Sequence, residues 1–257
     1  MFNTFKAGAF VRFISSVLLT VFISASCAWA GDRLDDIVKR GEMVVAVGDF
    51  ENEPFFFVDD GDLVGFDVDL GRMIAEEIGV DVRFVRVPWD GLIALAWYSR
   101  YPWSRYDMAI ASITIRQSRA RACDFSDWYF YTGQKLLVRE GDGYETPLDL
   151  EGKTIAVMAG STGYETAKRD LAAQTVVMDS PQETVDALRA GKVDGALSDA
   201  TIVISAANKY DGLIALEGMV TTERYGVVFP KGEEALRKVV DSVVVEARRT
   251  LYDKWFR

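Results

Sequence analysis

Strand-like and helix-like stretches alternate along almost the whole chain, and this limits the fold more than any other feature. Residues 43–47 form an unbroken apolar run of strand length. Residues 67–78 place Val68, Leu70, Ile74 and Ile78 roughly in helical phase, and residues 80–87 alternate with a period of two. Residues 89–97 read as an apolar helix and 108–111 as a short strand. After a strand at 134–138 and a turn at Gly141-Asp142-Gly143, a second set begins. Its strands are expected at 154–158, 175–178 and 195–197, with helices at 164–171, 182–190 and 200–209. A strand at 225–229 and a helical region at 233–256 close the chain. Strands separated by helical crossovers pair in parallel, so the expected class is α/β. Two sets of unequal size in 257 residues fit two small domains better than one large one.

The first 30 residues read as an export signal rather than as part of that pattern. Lys6 and Arg12 make a basic start, residues 13–24 are mostly apolar, and Ala28-Trp29-Ala30 offers small residues for cleavage before Gly31. The apolar run is short for a membrane span, and Asp32, Arg33, Asp35 and Asp36 follow at once. A rival reading makes Cys27 the acylated residue of a lipoprotein, but Ser24-Ala25-Ser26 lacks the large aliphatic residue usual before such a cysteine. Cleavage would remove two positive charges and take the formal charge from −10 to −12. Such an acidic chain argues against a nucleic-acid partner, which needs a basic stripe. It favours a soluble mature protein.

Cysteine and histidine narrow the chemistry further. Only Cys123 remains after cleavage, which leaves no intrachain disulfide and is most simply a small buried hydrophobe. The chain has no histidine. That removes histidine-based zinc sites, the Ser-His-Asp machinery and the commonest general base. No metal and no cofactor are expected.

The segment from Asp107 to Asp127, DMAIASITIRQSRARACDFSD, carries the most specific chemistry. An apolar strand runs into Ser112-Ile113-Thr114, and Arg119 follows about one helical turn later. A strand end with free backbone groups, a hydroxyl and a fixed guanidinium suits a small zwitterion: the guanidinium takes a carboxylate bidentately, and the carbonyls and hydroxyl receive an ammonium. Taken alone, an arginine in that place is more often a surface residue. Three further segments shift the weight. Pro54-Phe55-Phe56-Phe57 leads to Leu63-Val64-Gly65-Phe66-Asp67-Val68-Asp69-Leu70, and Gly160-Ser161-Thr162-Gly163 and Leu197-Ser198-Asp199 come later. Together they make the chain resemble the periplasmic amino-acid-binding proteins of ABC importers, the solute-binding family 3 that includes the glutamine- and lysine/arginine/ornithine-binding proteins. The likeness extends through Tyr225-Gly226-Val227-Val228-Phe229-Pro230 to Lys254-Trp255-Phe256.

That resemblance implies a two-lobed, periplasmic-binding-protein-like (type II) α/β fold with a hinge. Residues 31–133 would form the first part of lobe 1, 134–220 lobe 2, and 221–257 the segment returning to lobe 1, with crossovers near 129–133 and 221–225. Ligands in such folds sit at the carboxyl ends of strands, where all the quoted motifs lie. The family's pattern points to Trp89, Ser112, Thr114, Arg119, Ser161, Thr162 and Asp199 as ligand-binding residues. The implied protein is a periplasmic monomer that binds a polar amino acid in the cleft between its lobes, hands it to an ABC permease and catalyses nothing.

Plainer roles compete at each position. Ser161 or Thr162 would also cap an ordinary helix, and Asp199 would cap the helix at 200–209. Trp89 is as readily a core tryptophan as a wall of the site. Ser161 in its Ala-x-Ser-x-Gly setting resembles a hydrolase elbow, but no histidine is present to serve as base. The aromatic that often precedes the proline is absent, because Glu51-Asn52-Glu53 stands there with Phe50 earlier. Asp49, Glu51 and Glu53 lean the ligand toward a cationic side chain. They are also the acids available to the chief alternative, a cyclohexadienyl (prephenate/arogenate) dehydratase-like enzyme on the same fold, which would need a general acid.

Overall fold

The computed structural model describes residues 33–97 and 103–257; the expected export signal and Cys27 lie outside them. The first stretch runs α1 (Arg33–Arg40), β1 (Glu42–Gly48), β2 (Phe57–Asp59), β3 (Asp62–Val64), α2 (Phe66–Ile78), β4 (Asp81–Val87) and α3 (Trp89–Trp97). Then come β5 (Met108–Ala109), β6 (Asp124–Thr132), β7 (Gln134–Arg139), β8 (Thr154–Met158), α4 (Thr162–Asp170), β9 (Gln174–Met178) and α5 (Pro181–Arg189). The last elements are β10 (Gly195–Asp199), α6 (Ala200–Lys209), β11 (Leu213–Ala215), β12 (Glu223–Phe229) and α7 (Glu234–Phe256).

These strands form two five-stranded sheets, ordered β4-β1-β5-β12-β6 and β11-β7-β10-β8-β9, plus the hairpin β2-β3. Each sheet has a parallel half, β4-β1-β5 in one and β10-β8-β9 in the other. The wholly parallel pairing expected from the alternation does not hold at the remaining strands. β12 runs antiparallel to β5 and β6, and β7 antiparallel to β10 and β11. The physical reason is the connection. β6 passes to β7 through Gly133 alone and β12 comes straight back, with no helical crossover to reverse direction.

Position in the sheet explains the strand patterns. β1 is central and almost fully buried, hence its unbroken apolar run. β4 lies at an edge and alternates. α7 turns Leu236, Val240, Val244, Ala247 and Leu251 inward, and its last turn sets Phe256 against Phe55, Phe66 and Phe130 at ring separations of 5.8, 6.3 and 4.9 Å. Cys123 is fully buried, as expected of a small hydrophobe, and burial pushes its thiol up to about 12.

The two connections between the sheets lie side by side. Thr132 pairs with Glu223, and Gln134 N donates to Thr221 Oγ1 at 2.9 Å. Gly133 sits between them with no room for a side chain: a Cβ there would fall 1.9 Å from the Thr221 carbonyl oxygen. Gly133→Ala must therefore push the connections apart, at about 1–3 kcal/mol by analogy with overpacked sites. Urea denaturation should show that loss, and unchanged stability would mean the connections slide freely.

Candidate functional site

The carboxyl ends of strands from both sheets converge on one small cavity, and its chemistry starts from Ser112. This residue follows β5 in the left-handed region, with φ +52°. A non-glycine residue pays strain there, so something must hold it. Asp67, in the first turn of α2 and fully buried, does so. Its Oδ2 accepts from Ser112 N at 2.8 Å and from Ser112 Oγ at 3.2 Å, and Ser112 N also reaches Tyr129 Oη at 3.0 Å. Burial pushes the Asp67 carboxyl up to about 7, despite the hydrogen bonds from Tyr129 and Ser112 that favour its charge.

Arg119 opens a short 3-10 turn and is 2% exposed. Its Nη1 donates to Thr114 O at 3.0 Å and its Nη2 to Gly160 O at 3.3 Å. Burial lowers its pKa, while the Glu223 and Glu165 carboxylates pull it back up. Gly160 lies in the turn after β8, so the guanidinium reaches from the first sheet's side to the second's. Trp89 spans the same gap: its Nε1 donates to Ala159 O at 2.7 Å. It is half-buried and belongs to the cavity wall as well as to the packing.

From the second sheet come the start of α4 and the end of β10. Ser161 caps α4, its Oγ accepting from Tyr164 N at 3.1 Å, so the capping role and a place on the cavity coexist. Thr162 Oγ1 donates to Glu223 Oε2 at 2.9 Å and accepts from Gln134 Nε2 at 3.1 Å. Asp199 does not cap α6 through its side chain. Its Oδ1 accepts from Gln134 Nε2, and its Oδ2 accepts from Tyr225 Oη at 2.5 Å. Burial, reinforced by the nearby Glu223 charge, pushes Asp199 up to about 6.

All seven residues read from the sequence, Trp89, Ser112, Thr114, Arg119, Ser161, Thr162 and Asp199, line this cavity. The space among them is about 30 Å³, room for a water or two. Four polar groups that hold the arrangement were not singled out: Asp67, Gln134, Glu223 and Tyr225. The rest of the lining is mostly apolar, with Phe50, Met158, Pro181 and Ile202 beside Trp89. Phe50 and Trp89 meet edge to face at 6.1 Å, so Phe50, though earlier in the chain than the place the resemblance implies, gives the cavity an aromatic surface. Asn52 stands buried in the lining, its Oδ1 without a hydrogen-bond partner.

The acids invoked for a cationic ligand lie elsewhere. Asp49 and Glu53 are exposed, and Glu51 accepts from Val58 N and pairs with Arg86 outside the cavity. Among the described residues, the only charged side chains in the lining are Arg119 and Asp199. The acidic loop is instead turned toward Arg86 and solvent.

A buried, proton-holding Asp67 has a consequence for stability. Its folded pKa of about 7 exceeds the ordinary 3.8, so the folded protein binds the extra proton between those values. The stability this group contributes is full below about pH 4 and is lost as pH rises through about 7. Asp199 acts with the same sign and its contribution is lost through about 6. Asp67→Asn has no such proton to lose. In urea denaturation it should gain on the wild type between about pH 4 and about pH 8, and a constant gap, or one moving the other way, would contradict a neutral Asp67.

Comparison with known proteins places this cavity in a family. Residues 44–257 match the bacterial extracellular solute-binding proteins, family 3. The L-cystine-binding protein TcyJ of Escherichia coli (strain K12) is 30% identical over 234 residues, covering 87% of this chain and 85% of that protein. A solved mutant of ArgBP from T. maritima is 34% identical, with a TM-score of 0.77 over 87% of this chain and 99% of that one. An ancestral amino acid-binding protein described as a precursor of cyclohexadienyl dehydratase is 30% identical, with a TM-score of 0.76 over 88% of this chain and 100% of that one. The dehydratase alternative is the weaker, since this last protein is itself named as a binder and the acids nominated for catalysis lie outside the cavity. The family match takes in every residue around the cavity, and the likeness in structure extends to the two-lobed fold. This chain is a two-lobed solute-binding protein and belongs to the bacterial extracellular solute-binding proteins, family 3.

Proposed function

We propose that this protein, released into the periplasm after loss of residues 1–30, captures one L-α-amino acid with an uncharged side chain and presents it to an ABC permease. It acts as a monomer, without a cofactor. The observation that carries the reading is a pair of opposite charges, the buried Arg119 and the half-buried Asp199, facing one cavity from the two sheets. The guanidinium takes the α-carboxylate bidentately, helped by the start of α4 at Ser161. Asp199, Thr114 and the Ser112 carbonyl receive the α-ammonium. The neutral side chain follows from the wall: Phe50, Trp89, Met158 and Ile202 offer apolar surface, and Asn52 Oδ1 offers one free acceptor. A cationic side chain would meet no carboxylate there. Relatives named for L-cystine and L-arginine support the amino-acid class rather than one side chain.

Capture requires the lobes to part. An amino acid does not fit about 30 Å³, so entry must break the Arg119–Gly160, Trp89–Ala159 and Thr162–Glu223 hydrogen bonds that join the two sides. Lobe 1 comprises residues 31–133 and 221–257 and lobe 2 residues 134–220. Bending falls near 129–133 and 221–225, the two strands of chain that connect them among the described residues. A ligand that touches both sides then favours closure by its better contacts in the closed state.

A thermal-shift panel of L-glutamine, L-methionine, L-leucine, L-cystine, L-arginine, L-glutamate and prephenate tests the ligand. Stabilisation by amino acids with neutral side chains is expected. Selective stabilisation by L-arginine would overturn the side-chain assignment, and turnover of prephenate would overturn the non-enzymatic reading. Arg119→Ala should weaken the bound amino acid by at least about tenfold with the fold intact, since truncating one partner of a buried charged pair removes its compensation.

The ammonium contact carries its own pH signature. Asp199 must be ionised to pair, and its proton leaves at about 6. Calorimetric affinity should therefore fall as pH drops from about 7 to about 5, with a proton released on binding at the lower end. Asp199→Asn should bind weakly with that step absent, and wild-type affinity in this variant would end the assignment.

A further inference from the structure

Glu223 is the least expected group near the cavity. It begins the strand that returns from the second sheet, is 3% exposed, and does not line the cavity itself. Its carboxylate accepts four hydrogen bonds. Oε1 receives Arg116 Nη2 at 3.0 Å and Thr221 Oγ1 at 3.1 Å. Oε2 receives Thr114 Oγ1 at 2.7 Å and Thr162 Oγ1 at 2.9 Å. Those two threonines do line the cavity, one from each side.

Hydrogen-bond chemistry then limits what the threonines can offer. A carboxylate paired with a guanidinium only accepts, so both hydroxyls must donate to it. Each hydroxyl has a single proton, and once that proton points at Glu223 only lone pairs remain. Thr162 already uses one lone pair for Gln134 Nε2. At the start of α4 its backbone N–H can still donate to a carboxylate, but its hydroxyl cannot. The hydroxyl protons are spent, and what both hydroxyls retain is acceptor capacity, the complement of an ammonium.

We propose that Glu223 is a positioning residue that sets the hydrogen-bond polarity of Thr114 and Thr162, making both hydroxyls acceptors for the ligand's α-ammonium beside Asp199. The inference rests on the amino-acid reading above and assigns the Thr162 hydroxyl, as distinct from its backbone N–H, to the ammonium end of the ligand. Because Thr162 and Thr114 come from opposite sides, this one carboxylate also joins the two halves of the ammonium site when the lobes are closed.

Glu223→Gln tests it. Arg116 retains the amide oxygen, so the amide NH₂ turns toward the threonines and both hydroxyls become donors. Titration calorimetry would compare wild type and variant with L-glutamine, L-methionine and L-leucine, each beside its des-amino acid, which keeps the carboxylate and side chain. The variant should lose about tenfold or more in affinity for the bound amino acid and little or none for the des-amino acid, so that the preference between them collapses. An equal loss for both, or no loss, would overturn the proposal. Wild type that binds none of the three amino acids would overturn the proposed ligand class and this inference with it. If Glu223→Gln does not fold, Thr162→Val decides the matter: loss confined to the amino acid supports the acceptor role, and equal loss for the des-amino acid restores a donor to carboxylate.

Discussion

The burial of Arg119 is the constraint around which the rest is arranged. A guanidinium withdrawn from water costs several kcal/mol unless its surroundings replace that water. Here the replacement comes from places far apart in the chain: the Thr114 and Gly160 carbonyls and the Glu223, Glu165 and Asp199 carboxylates. The end of β5, the turn after β8, the end of β10 and the start of β12 must meet for the cation to be tolerated. The two carbonyls belong to different sheets, so the cation is best satisfied when the sheets are together. Two carboxylates near one buried guanidinium also repel each other, which is part of why Asp199 holds its proton so high. Half-buried Arg116 balances Glu223.

Much of this was legible from local patterns, and the failures share a cause. Arg119, Thr114 and Asp199 stand at strand ends in short motifs, and a strand end is visible in a window of ten residues. Glu223 bonds to Thr114 across 109 positions, and Tyr225 to Asp199 across 26. No window links them. One signal was present all the same: Glu223 and Arg224 open a strand whose remaining residues are Tyr225, Gly226, Val227, Val228 and Phe229, and a carboxylate buried there must find partners or lose its charge. Asp67 was hidden differently. It begins a helix, where an acid is ordinary, and only the buried Ser112 amide beneath it shows that it is not simply a helix-start charge. The antiparallel β12 escaped for a topological reason, since a return without a crossover looks in sequence like any other strand.

The cavity divides into a charged end and an apolar end that are built by different means. The charged end is made of backbone turns and buried side chains with every neighbour prescribed. The apolar end is a set of wall residues, Phe50, Trp89, Met158 and Ile202, that come from a loop, two helices and a strand end. The acids near that end face solvent or Arg86, and their proximity in sequence to Phe50 and Asn52 was misleading because successive loop residues point in different directions. A loop has no fixed period from which facing can be read.

Ser112 shows what this division means for descent with modification. Its positive φ suits glycine best, asparagine or aspartate next, and a branched side chain least, while its amide is already committed to Asp67. Mutation can explore little at that position without losing the turn. The wall residues are under no such restriction, and a change there alters shape and polarity without disturbing the buried charges. Change is thus channelled: the turn at the charged end tolerates few substitutions, while the wall can be altered one residue at a time.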